Sequence, residues 1–178
     1  MKILSTAVLV VFVAIPAFAQ QAQIQPQIPS LQVCNGTKAN GVAKVHLTAR
    51  KDVANSGDFE LRIEAGCDPA GDGYPSGTIS MTFSLSDSSV KNLRVTLIEQ
   101  LTTTGKHTPT MYLNGRCLAN DGTVPCHIWL TIADNRQPNS NGTPDVIGVL
   151  VVDKTGKRIT YGTGPIASGD INVAATAF

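Results

Sequence analysis

The sequence predicts an all-β protein: an antiparallel immunoglobulin-like β-sandwich of about nine strands, stapled by two disulfides. Three observations carry that expectation. Apolar and polar residues alternate with period two from Val42 onward, as on half-buried strands. The acidic residues are ten Asp against three Glu, and Asp favours turns where Glu favours helices. Four cysteines, Cys34, Cys67, Cys117 and Cys126, follow an export leader, and an even count in an exported chain reads as two disulfides.

The leader comes first in the chain. Met1-Lys2 gives a positive start, Ala7 to Ala14 an apolar stretch too short for a membrane span, and Ala17-Phe18-Ala19 the small-x-small pattern cleaved before Gln20. Residues 1–19 therefore read as a signal peptide, which places the mature protein as secreted, periplasmic or at the cell surface. Residues 20–32 hold six Gln, two Pro and no charge, so they read as a tether to a single domain spanning residues 33–178. The chain carries 14 basic and 13 acidic residues, and losing Lys2 brings the mature part to neutrality. With no basic cluster, nucleic acid and anionic membrane are poor partners.

The strands follow in order. Ala43, Val45, Leu47 and Ala49 share one face, as do Phe59, Leu61, Ile63 and Ala65. Pairing Arg50 with Asp58 sets Lys44 opposite Glu64 and keeps all eight apolar residues together. Ile79 to Leu85 and Leu93, Val95, Leu97 continue the alternation. Residues 146–152 (VIGVLVV) are apolar on both sides, as in a strand covered on both faces. The turn Asp153 to Gly156 leads into Lys157 to Tyr161, and Ile171, Val173 and Ala175 form the last strand. Exported alternating strands ending in Phe178 also suit an outer-membrane barrel. An aromatic content of 5% and outward Lys44, Glu60 and Arg62 argue against that.

One hairpin can be derived residue by residue. With Asp121-Gly122 at the tip, Ala119 pairs with Val124, Leu118 with Pro125, and Cys117 with Cys126. Directly opposed cysteines are close enough for a bond, which leaves Cys34 with Cys67. Gly115–Ile128, Leu113–Leu130 and Met111–Ile132 then make one apolar face. Pro125 has no N–H for the ladder, which a bulge or a four-residue loop from Asn120 to Thr123 relieves.

The hairpin's other face carries Tyr112, Asn114, Arg116, His127, Trp129 and Thr131. An aromatic platform with polar neighbours holds a sugar ring or a peptide in many secreted domains. The same parity also suits a central Trp plugging a second core layer, and the sequence leaves both readings open, with partial burial of Trp129 expected.

The search for chemistry is less productive. The three histidines have no partner at metal-ligand spacing, and Gly73 to Gly77 is not a nucleophile elbow. Three Glu on or near strands are hard to arrange as a glycosidase pair. Calcium is the one cofactor with candidate ligands, Asp134, Asn139, Asn141 and Asp145 in one loop, with Asp68 and Asp72 in another. The run Ile132-Ala133-Asp134-Asn135, then Asp145-Val146-Ile147-Gly148, Tyr161 and Gly169-Asp170-Ile171-Asn172-Val173 resembles the ending of β-sandwich modules in secreted bacterial surface proteins. It departs from them at Arg136 and Asp170, covers about forty residues, and implies fold and export without a catalytic residue.

The function expected is that of a non-enzymatic binding or structural module outside the cytoplasm, with an extracellular glycan or protein as ligand. The alternatives are a carbohydrate or peptide binder using Trp129, Tyr112, Arg116 and His127, and a hydrolase with a loop-built site.

Overall fold

Eight antiparallel strands run in sequence order around a closed β-barrel in a computed structural model that describes residues 34, 37–47, 56–67, 74–86, 88–105, 107–135 and 142–174. They are β1 (Lys38–Leu47), β2 (Gly57–Cys67), β3 (Pro75–Leu85), β4 (Asn92–Thr104), β5 (Thr110–Ala119), β6 (Val124–Ala133), β7 (Val146–Asp153) and β8 (Arg158–Ala174). The leader, the tether and Arg50, Ala49, Asp68, Asp72, Asn139, Asn141 and Ala175 lie outside the described residues.

The expected sandwich is therefore corrected. Each strand pairs with the next, and β1 pairs with β8, so one sheet closes on itself instead of two sheets stacking. Nine strands become eight because the stretches around Lys157–Tyr161 and Ile171–Val173 belong to one long, bent strand, β8. Glycines permit that bend. A side chain at Gly164 would stand 2.2 Å from the His46 carbonyl oxygen, and one at Gly169 2.2 Å from that of Val42. Gly169 also has φ +86°, which side chains resist. Glycine kinks of this kind are how a sheet curls tightly enough to close.

Alternation decides what lies inside. Val45, Leu47, Phe59, Leu61, Met81, Leu101, Met111, Ile128, Leu130, Ile147 and Ile171 fill the interior, and Phe59 and Phe83 meet with ring centroids 5.9 Å apart. Lys38, Lys44, Arg62, Arg94 and Arg116 point outward. An eight-stranded barrel is just wide enough for its own side chains to fill.

Three strand expectations change. The β1–β2 register slides by four residues, so Lys44 faces Glu60 instead of Glu64. An even slide leaves every side chain on its expected face and sets His46 Nδ1 2.7 Å from Asp58 Oδ1, a hydrogen bond. Leu97 faces outward and is 49% exposed, since β4 bulges between Val95 and Leu97 and again between Ile98 and Gln100. In β7 only Ile147, Val149 and Val151 are buried; Val146, Leu150 and Val152 are half-exposed on the wall.

The β5–β6 hairpin has the expected register throughout, from Ala119–Val124 through Cys117–Cys126 to Met111–Ile132. The strands end at Ala119 and Val124, and the chain turns through Asn120 to Thr123: Thr123 N–H donates to the Asn120 carbonyl at 3.3 Å, with positive φ at Asn120, Asp121 and Gly122. Both disulfides are present, with Cα–Cα distances of 5.9 Å for Cys34–Cys67 and 4.9 Å for Cys117–Cys126.

The hairpin tip is clasped to the β3–β4 connection. Asn120 accepts from Lys91 N–H at 2.8 Å and donates to the Ser89 carbonyl at 2.8 Å, while Asp121 N–H donates to Asn92 Oδ1 at 2.9 Å. Asn120→Ala loses both side-chain bonds and places a Cβ residue less suited to left-handed backbone at φ 51°, so it should cost about 2 kcal/mol in urea unfolding. Asn120→Gly keeps the backbone freedom and should cost about half as much.

Candidate ligand-binding face

Parity and register put the expected residues together on the outer wall. Across β5, β6, β7 and β8 the Cα pairings define three rows. The first is Tyr112–Thr131–Gly148–Thr163, the second Asn114–Trp129–Leu150–Tyr161, the third Arg116–His127–Val152–Arg158. Trp129 is thus a wall residue with 40% exposure, not a core plug, and Tyr112 beside it is 46% exposed.

The third row braces the second. The His127 ring stacks on Trp129 with centroids 4.6 Å apart and planes 14° from parallel. Two strands away the Arg158 guanidinium lies 5.0 Å over the Tyr161 ring. Each aromatic has one face occupied from the same side. In the first row Thr131 and Thr163 flank Gly148, whose Cβ position would lie 3.2 Å from Thr163 Oγ1. Glycine leaves that floor low between two hydroxyls. Strand spacing separates Trp129 from Tyr161 by roughly 10 Å, with Leu150 between them.

Glu99 holds the brace in place. Its two oxygens take Arg116 Nε at 2.8 Å and His127 Nε2 at 3.0 Å. Glu99 is the extra residue of the second β4 bulge, having no Cα partner in β5. Bulges re-aim side chains, and here one turns a carboxylate across β5 toward β6. Asn114 is fixed likewise, donating to Gln100 Oε1 at 3.0 Å.

Sequence reasoning named Tyr112, Asn114, Arg116, His127 and Trp129 and missed Glu99, Gln100, Leu150 and Tyr161. One signal for Glu99 was present: the apolar parity of β4 switches from Leu93 and Val95 to Ile98 and Leu101, as a bulge requires. The partners on β7 and β8 follow only from the register of barrel closure.

The proposed calcium loop has a structural role at its described ends. Asp134 Oδ2 accepts from Val173 N–H at 2.9 Å, and Asp145 Oδ1 from Asn135 N–H at 2.8 Å. The two carboxylates fasten the ends of the β6–β7 connection, Asp134 to β8. Among the described residues no group of three or more His, Cys, Asp or Glu converges as a metal site. No family model, curated protein or solved structure matches the chain.

Trp129→Ala should cost about 1 kcal/mol in stability, against 3–5 for a core aromatic, because much of the indole is already in water. His127→Ala uncovers the stacked face, so iodide should quench the single Trp more efficiently in that variant than in the wild type.

Proposed function

We propose that the protein is a non-enzymatic, secreted or envelope-located binding module that holds a carbohydrate chain on the outer wall of β5–β8. One observation carries this reading: Trp129, 40% exposed on the outer wall and stacked by His127, stands beside exposed Tyr112 and shares a row with the amide of Asn114, next to Thr131. Sugar rings offer apolar C–H faces and equatorial hydroxyls. An aromatic face beside hydroxyl and amide donors complements both. Trp129 and Tyr112, in adjacent rows on neighbouring strands, give an exposed aromatic patch for a chain of rings.

Location is supported independently. Two disulfides are the covalent signature of an oxidising, extracytoplasmic environment, which agrees with the export leader. The outward charges support a mature chain standing in water. The Glu99–His127 pair is tied to Arg116, which suits a rigid brace more than a base aimed at a nucleophile. Calcium is no part of this reading; a rise in melting temperature on adding calcium would bring it in.

The test is a glycan and peptide array probed with protein beginning at Gln20, followed by calorimetry on any hit. Trp129→Ala should lower affinity at least tenfold, and Gly148→Val, which raises the floor, should do the same. Capture of peptides alone, or unchanged binding in both variants, would overturn the carbohydrate reading.

A further inference from the structure

Two bulges build the charged row of the outer wall, one at each side of it. Glu99 is the extra residue in β4 against β5. Ile159 is the extra residue in β8 against β7, since Val151 faces Thr160 and Val152 faces Arg158. Unbroken alternation from Tyr161 would pair Ile159 with Val152 and aim Arg158 into the barrel. The bulge reverses this, packing Ile159 against the core and leaving Arg158 exposed on the wall, its guanidinium over Tyr161.

Charge on this face is one-sided. The three rows across β5 to β8 hold Arg116, His127 and Arg158 and no carboxylate. Glu99, reaching in from β4, gives its two oxygens to Arg116 and His127. Asp153, at the end of β7, turns Oδ1 into the β7–β8 turn, where it accepts from Thr155 N–H at 2.8 Å and Lys157 N–H at 3.0 Å. Among the described residues no carboxylate forms an ion pair with Arg158. Lys154 and Lys157 stand on the adjoining turn, so residues 153–158 hold three cations against one carboxylate. On the opposite wall, by contrast, Arg62 pairs with Glu60 and His46 bonds Asp58.

A guanidinium resting on a ring keeps its N–H fork available for an oxyanion, which it takes in two parallel hydrogen bonds. The strands of Trp129 and Arg158 are two spacings apart, about 10 Å. A ring stacked at Trp129 and an oxyanion held at Arg158 therefore belong to different units of one chain. We propose that the ligand of this face is an acidic polysaccharide, with Trp129 stacking one sugar ring and Arg158 holding the carboxylate or sulfate of another. This rests on the carbohydrate reading and adds the ligand's charge. The acid supplies the counter-charge that the wall lacks, so charge selects among polymers that stack equally well.

Calorimetry on the chain from Gln20 to Phe178 tests it with four polymers: polygalacturonate and its methyl ester, dextran sulfate and dextran. In at least one pair the acidic member should bind at least tenfold more tightly than its neutral counterpart, and added salt should shrink the difference. A preference for polygalacturonate identifies a carboxylate as the group held, and one for dextran sulfate a sulfate. Arg158→Gln should bring the acidic polymer to the affinity of the neutral one. Lys38→Gln, the same loss of charge on β1, should leave the preference intact. Acidic and neutral polymers bound equally, both through Trp129, would overturn the inference and leave the carbohydrate reading standing. A preference lowered as much by Lys38→Gln as by Arg158→Gln would also overturn it, since the attraction would be to charge in general. Binding of none of the four overturns it too, and the neutral glycans of the array then decide the carbohydrate reading by themselves.

Discussion

Everything in this molecule depends on β8 closing against β1. That contact converts a meander with two sticky edges into a ring, and it is possible because β8 lacks side chains where it approaches β1 most closely. Gly164 and Gly169 lie within van der Waals reach of β1 carbonyls, where any Cβ would collide. A bulge between Lys44 and Val45 absorbs the remaining mismatch in register. Once the ring is closed, its diameter is set by eight strands, and the apolar face of each must fill the middle. Large residues such as Phe59 and Met81 share that space with Ala39, Ala43 and Ala119. Among the described residues these side chains fill the interior.

The irregularity of β4 links two unusual regions of the barrel wall. Its two extra residues bend the strand, and bending has consequences on both edges. Toward β5 the second bulge frees Glu99 to reach Arg116 and His127, which fixes the ring that stacks on Trp129. Toward β3 the same bend ends pairing after three positions, at the place where Cys34 meets Leu101. A straight β4 would extend that pairing and withdraw the carboxylate together. The aromatic face and the short β3–β4 pairing are therefore coupled through one strand.

How much of this was legible depended on the range of each constraint. The β5–β6 hairpin is local: an Asp-Gly turn, two opposed cysteines and a period-two face leave one register, and it is the register found. The β1–β2 pair is joined by a longer connection, and there charge pairing of Arg50 with Asp58 pointed four residues away from the true match, though on the correct face. Alternation tells which side of a strand is buried, and it is the same for a sandwich layer and a barrel wall. Whether the sheet closes depends on contacts between residues more than a hundred apart, and the glycines that permit closure read equally well as the end of one strand and the start of another. The same long-range registers bring Leu150 and Tyr161 beside Trp129, which is why half of the candidate face was visible in the sequence and half was not.

The central claim is closure, and cross-strand NMR contacts test it most directly. The account predicts backbone proton contacts between β1 and β8 at Ala39–Val173, Asn40–Asn172 and Gly41–Ile171, alongside those joining β1 to β2. A β8 whose residues 171–173 show contacts to another strand or to none, with β1 left as an edge, would contradict the barrel and the outer face built on it.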